Sequence, residues 1–191
     1  MEGLYTRTLF RYDERLLDRM GPAFELGRSF VRAEYQRSFS ALLLLWKGIG
    51  RLLATAPHYR ALFGPVSISS RYQDMSQWLL RAFLAQHHLN HDLEPLVDAL
   101  HPPATVSGPP HGGTAIADVA ELDVLIKRLE GRGGIPVLLR HYLRLNATLL
   151  GFNVDPAFGD ALDALMMVDI RRVPAPLRIR YLGAYDDAQA A

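Results

Sequence analysis

The chain contains no cysteine in 191 residues, which excludes disulfides, zinc–thiolate sites and a thiol nucleophile in one step. It has no run approaching the ~18 consecutive apolar residues that a membrane span requires. Neither sign of charge dominates: 21 basic residues against 20 acidic ones leave a net charge of +1. Bulk electrostatics therefore give no reason to expect nucleic acid as a partner. No repeat period is visible. Met1 leads into Glu2-Gly3-Leu4 rather than into a basic and then apolar signal segment, so a cytoplasmic location is expected, with peripheral contact at the inner membrane face as a further expectation.

What is present is the composition of a globular chain, 49% hydrophobic and 21% charged, at the length of a single domain spanning 1–191. Alternation suggests a strand over 4–12, and DERLLDR at 13–19 a short helix stopped by Gly21-Pro22. Residues 24–31 read as a strand, 32–40 as a polar loop, and ALLLLWKGIGRLLA at 41–54 as a long apolar helix. A buried strand at 61–69 precedes an amphipathic helix over about 73–87. The Pro- and Gly-rich stretch 101–116 reads as a flexible loop. Helices follow at 117–130 and 136–145 around the turn 131–134, with Pro136 suited to a first helical turn. Strand 149–155, helix 156–165 and strand 166–173 come next, and a last short helix near 177–182. Strands and helices interleaved in this way predict an α/β (α+β) fold with a mixed sheet flanked by helices.

The strand, loop and helix at 24–54 carry the chemistry. A helix N-terminus presents unpaired N–H groups to its preceding loop and favours an anion there. Arg37, Ser38 and Ser40 would add a charge and hydroxyls, suiting a phosphate such as that of a phosphopantetheine arm. A core helix with a solvated cap explains the same residues.

The motifs ELGRSFV at 25–31, Tyr35-Gln36-Arg37, and LLLLWKGIGRLL at 42–53 together resemble the GNAT-superfamily acyltransferases that N-acylate ornithine or glycine. The resemblance continues through 62–69, 134–145, 151–158 and 162–170, so it covers nearly the whole chain. Such proteins are often called hemolysin-like, and are similar to acyl-homoserine-lactone synthases in the Glu-x-x-Arg pattern, here Glu25 and Arg28. The resemblance implies transfer of a long, often 3-hydroxylated acyl group from acyl carrier protein, or from acyl-CoA, to a small amino acid in aminolipid synthesis. It implies no permanently bound cofactor, and a glycerolipid-type acyltransferase as a fused or separate companion.

The resemblance also supplies site residues. Glu25 would accept the amine proton and Arg28 would orient the acceptor carboxylate, although a structural Glu25–Arg28 ion pair explains both equally. Backbone N–H groups from Val31 to Ala33 would stabilise the oxyanion, and Gln36, Arg37, Ser38 and Ser40 would hold the donor phosphate. The GNAT phosphate loop normally has spaced glycines, and 36–41 has none, which favours acyl carrier protein over acetyl-CoA. The opening strands of such a domain are absent before Glu2, which suggests an N-terminally truncated domain. A non-catalytic or degenerate module that binds an acyl carrier protein or partner domain is accordingly the second expectation.

An acidic carrier protein needs a basic patch, for which Arg32, Lys47, Arg51 and Arg60 are candidates, alongside an ordinary solvated face. Phe63, Val66, Ile68, Phe152 and Val154 are candidates for an acyl slot or for core packing. His87 and Asp92 have the His-x4-Asp spacing of glycerolipid acyltransferases, but that family's Pro-Glu-Gly element is missing. His87, His88 and His91 are read as an exposed helix end, and no metal site is expected. Asp155, Asp163 and Asp169 are read as a helix cap and surface charges.

Overall fold

The computed structural model of the protein describes residues 3–27, 32–35, 39–104, 115–131 and 133–182. In chain order its elements are β1 (Phe10–Tyr12), α1 (Arg15–Met20), β2 (Ala23–Glu25), α2 (Phe39–Thr55), β3 (Ala61–Ile68), α3 (Asp74–His88) and β4 (Val97–Ala99). These are followed by α4 (Val119–Glu130), α5 (Val137–Arg144), β5 (Thr148–Asp155), β6 (Ala161–Asp169) and α6 (Ala175–Leu182). The main sheet runs β2-β3-β6-β5, and β1 pairs with β4 in a small antiparallel sheet. The fold is the expected α/β one, a mixed sheet flanked by helices.

Connection length decides which pairs are parallel. β2 and β3 are parallel, as they must be when α2 carries the chain back across the sheet between them. β5 and β6 form a hairpin, and β6 runs antiparallel to β3 along the whole length of that strand. Alternation along β3 feeds two cores. Leu62, Val66 and Ile68 join the larger one, built with Trp46 and Leu53 of α2 and with side chains from α3, α4 and α5. Ala61 and Phe63 face the smaller one, with Phe10, Leu16 and Met20.

Local chemistry accounts for the helix ends. Asp118 caps α4 by accepting from the N–H groups of Ala120 and Glu121, and Gly131 ends it in the left-handed region at φ 65°. Among the described residues no helix is long and apolar enough to cross a membrane.

Several expectations are corrected. Residues 156–165 are not a helix: a 3-10 turn at Pro156–Phe158 leads through Gly159 and Asp160, both at positive φ, straight into β6. β6 is buried on both faces, so ALDALMMVD shows no two-residue alternation, and a short apolar run of that kind cannot be told from a helix by period. The strand expected over 4–12 is confined to β1, preceded by a 3-10 turn at Tyr5–Thr8. The strand expected over 24–31 is the short β2, while 28–31 lie outside the described residues. Of the loop expected at 101–116, residues 101–104 and 115–116 are irregular and 105–114 lie outside the described residues.

Gly64 sets how closely β2 approaches β3. A Cβ placed there would collide with the carbonyl oxygen of Leu26. Gly64→Ala is expected to destabilise the fold by about 1–3 kcal/mol, the usual range for overpacking, read as a lower urea midpoint. An unchanged midpoint would mean that Leu26 yields freely at this contact.

Candidate active site

Among the described residues the pairing of β2 with β3 ends at Leu26. β2 pairs with β3 at Ala23–Ala61, Phe24–Leu62 and Glu25–Phe63, and the Leu26 N–H adds a bond to the Phe63 carbonyl at 2.7 Å. β3 continues to Ile68, where its partner among the described residues is β6. Because the Phe63 carbonyl points toward β2, the backbone of Pro65, two residues on, faces the opening. Proline has no N–H to leave unpaired there, which is why a strand edge tolerates it.

A cleft of about 590 Å³ forms around this open edge and takes residues from both faces of the sheet. Pro65 and Ser67 come from β3 itself. Leu45, Trp46 and Ile49 of α2, with Leu138 and Tyr142 of α5, make it apolar on the large-core side. Tyr5 and Leu26 line it near the opening, and Asp155 and Phe158 near the β5–β6 turn. Trp46 is anchored by ring contacts to His141 at 4.9 Å and Tyr142 at 5.5 Å. Burial, with help from Arg144 and Arg180, lowers the His141 imidazole to about 4, so that ring is neutral. Burial also pushes the Tyr142 phenol well above its ordinary value, keeping it neutral.

One end of the cleft is polar, lined by Ser67 and Asp155. Ser67, Asp163 and Asn153 stand in register across β3, β6 and β5. The Ser67 hydroxyl donates to Asp163 Oδ1 at 2.5 Å. Asn153 accepts from the His101 N–H at 2.8 Å and donates to the Val154 carbonyl at 2.9 Å. Asp155 is 8% exposed and accepts from the Ala157 N–H at 2.9 Å, while Asp163 is 2% exposed. Among the described residues neither carboxylate has a basic partner. Burial raises the Asp163 carboxyl; the Ser67 hydrogen bond lowers it, and the nearby Asp155 raises it further.

Asp155 does cap a turn, as expected, but Asp163 is no surface charge. Sequence reasoning missed it because the segment was read as a helix, where position 163 could face solvent. The available signal was LDALMM, an acid enclosed by apolar residues. Asp169 caps the 3-10 turn at Ile170–Arg172 and pairs with Arg171 at 3.1 Å.

Glu25 ends β2 beside the opening, and its carboxylate is turned toward the 3-10 turn at Tyr5–Thr8. It accepts from the N–H groups of Tyr5 at 3.0 Å and Thr6 at 2.7 Å, and from the Thr6 hydroxyl at 2.6 Å. Arg28, Val31, Gln36, Arg37 and Ser38 lie outside the described residues, while Ala33 falls in a 3-10 turn and Ser40 in the first turn of α2. Arg32 pairs with Glu34 at 2.5 Å. Lys47 and Arg51 are exposed on α2, and Arg60 lines a different cleft, at the start of β3. None of the five residues proposed for an acyl slot lines the cleft: Phe63, Val66 and Ile68 are core, and Phe152 and Val154 are only partly exposed on β5. His87 is held by the Ile116 carbonyl at 3.0 Å, and burial lowers the His88 imidazole. Among the described residues no cluster of three or more His, Asp or Glu side chains could hold a metal.

Residues 1–47 match the acetyltransferase (GNAT) domain family. Over 195 aligned residues the chain is 27% identical to a glycine N(alpha)-acyltransferase of Bacteroides thetaiotaomicron, covering 95% of this chain and 57% of that protein. It is 26% identical to a glycine N(alpha)-acyltransferase of Phocaeicola vulgatus, again over 95% of this chain, and covers 59% of that relative. The chain thus spans less than three fifths of the length of these curated relatives. No solved structure matches it.

A carboxyl raised in the folded state is a penalty that grows as pH rises from the unfolded value through the folded one. Asp163→Asn keeps an acceptor for Ser67 and removes that penalty. Its stability relative to wild type should therefore improve from acid toward neutral pH and level off above the folded pKa, in urea titrations at several pH values. A difference that does not vary with pH would contradict the burial argument.

Proposed function

We propose that the chain is an N-acyltransferase that moves a long acyl group from the phosphopantetheine thioester of acyl carrier protein to the amine of a small amino acid, in aminolipid synthesis. The observation that carries this reading is the cleft at the open edge of β3, apolar along α2 and α5 and carboxylate-bearing at one end. A chain-shaped apolar substituent matches the Leu45, Trp46, Ile49 and Leu138 side. Similarity to glycine N(alpha)-acyltransferases supports the amine acceptor.

The reaction forms an N–C bond and breaks a C–S bond. A neutral amine attacks the thioester carbonyl, a tetrahedral oxyanion collapses, the thiol leaves with a proton, and one amine proton must pass to a base. Asp155 would take that proton, since it lines the cleft together with Ser67, whose hydroxyl holds Asp163 behind it. By resemblance the base would be Glu25. Three donors already occupy its carboxylate, and through them it fixes Tyr5 at the mouth of the cleft. Glu25 is therefore assigned a positioning role, with Arg28 and the backbone from Val31 to Ala33 serving the acceptor and the oxyanion. Gln36, Arg37, Ser38 and Ser40 would hold the donor phosphate, and Arg32, Lys47 and Arg51 would meet the acidic carrier.

The purified chain, supplied with 3-hydroxyacyl carrier protein and glycine or ornithine, should yield an N-acyl amino acid by mass spectrometry. Binding of the charged carrier without product for any acceptor would instead support a non-catalytic carrier-binding module. Asp155→Asn should lower kcat on the order of a hundredfold or more. Wild-type kcat in that variant, with activity lost in Glu25→Gln, would return the base to Glu25. Ile49→Trp should shift preference toward shorter acyl chains, and an unchanged chain-length profile would remove the cleft from the acyl path.

A further inference from the structure

A second cleft, of about 490 Å³, lies at the opposite end of the sheet. It is bounded by Ala61, where β3 begins, Thr148, where β5 begins, and Asp169, where β6 ends. Six residues of strand separate Ala61 from Ser67 in the first cleft, roughly 20 Å at the usual rise. One cleft cannot be an extension of the other.

Its wall is polar and positive. Arg19, Arg60, Arg171 and Arg172 line it against only two carboxylates, Asp92 and Asp169. Asp169 is committed, since it caps the turn that follows and pairs with Arg171 at 3.1 Å and Arg172 at 3.9 Å. Arg19 and Arg60 form no ion pair within 4 Å among the described residues; Arg19 donates to the Asp92 carbonyl at 3.4 Å and feels the Asp13 carboxylate at longer range. Arg60 is partly buried, and no carboxylate among the described residues is bonded to its guanidinium. The neighbouring amides are already used: Asn90 donates to the Thr148 hydroxyl at 3.2 Å, and Asn146 donates to the Arg172 carbonyl at 2.9 Å. The rim is thereby fixed while the two guanidiniums keep donors to offer.

We propose that this cleft is an anion site for a phosphate-bearing ligand. A surplus of two positive charges suits the dianion of a phosphate monoester, and the planar guanidinium fork matches phosphate oxygens in pairs. The concavity and its volume suit a small group rather than the flat face of a protein. The same phosphate chemistry is available from a free phosphate compound or from the headgroup of an anionic lipid. The site is independent of the acyl cleft, so its occupancy is measured without turnover.

The test uses the full chain, titrated with inorganic phosphate by calorimetry against chloride at matched ionic strength. Phosphate should bind, with Arg19→Gln/Arg60→Gln raising Kd roughly tenfold or more, as loss of charge-assisted bonds requires. Arg128→Gln, an exposed arginine on α4, should leave Kd unchanged, and circular dichroism confirms that each variant is folded. Flotation with phosphatidylcholine vesicles, with and without phosphatidic acid, separates the sources. Retention only on phosphatidic acid vesicles, lost in the double variant, supports a lipid headgroup. Phosphate binding without retention supports a free phosphate compound. Neither phosphate binding nor retention, or binding that is equal in the folded double variant, overturns the proposal.

Discussion

The contact between Gly64 and the Leu26 carbonyl controls the architecture of the site. It lets β2 lie close against β3 through the three pairs seen among the described residues. Pro65 follows immediately, so the strand edge that becomes free has no N–H demanding a partner at that point. An open edge inside a sheet would normally invite another strand or leave costly unpaired groups. Here Pro65 and Ser67 of β3 form part of the wall of a cleft. Everything proposed for the first site, from Tyr5 on one side to Trp46 and Tyr142 on the other, is arranged around that gap.

Glu25 links the gap to the N-terminal turn. A four-residue 3-10 helix has little stability of its own. By accepting from the Tyr5 and Thr6 N–H groups, the carboxylate supplies the acceptors that the first residues of that turn lack. One acidic side chain at the end of a three-residue strand thereby ties down the segment that carries Tyr5 into the cleft. This explains how a carboxylate can matter to the site without facing it.

The fold class was legible because α2, α3 and α4 are long and carry clear periodicity, with Asp118 capping α4, and because β3 is bounded by Pro57 and Ser70. The cleft was not. Its polar end rests on Asp163 and Asp155, which meet only once 161–169 is a strand in register with both β3 and β5. A strand buried on both faces does not alternate, so sequence offered no contrast between its two sides. The basic residues show the same limit. Arg60 lies only nine positions from Arg51, but the turn after α2 brings it beside Arg19, Arg171 and Arg172 instead, a grouping set by where three strands begin or end. Pro65, by contrast, could be read at once as a mark of an exposed strand edge, although which edge required the topology.

Two aspartates show why the cleft, rather than the core, is the place to look for chemistry. Asp123 is also partly enclosed, and burial alone would raise its carboxyl. Lys127, the Ile135 N–H and Arg140 surround it with donors, so the balance falls below the usual value. That is the electrostatics of a structural joint, here between α4 and α5. Asp163 receives one hydroxyl and faces another carboxylate, and its balance goes the other way. Among the described residues each of the two carboxylates accepts from a single hydrogen-bond donor and neither has a basic partner, which is a costly way to hold charge beside an apolar cavity. Such an arrangement makes sense where a cation or a transferable proton arrives from outside, and the proposed amine acceptor, arriving as its ammonium form, would bring both.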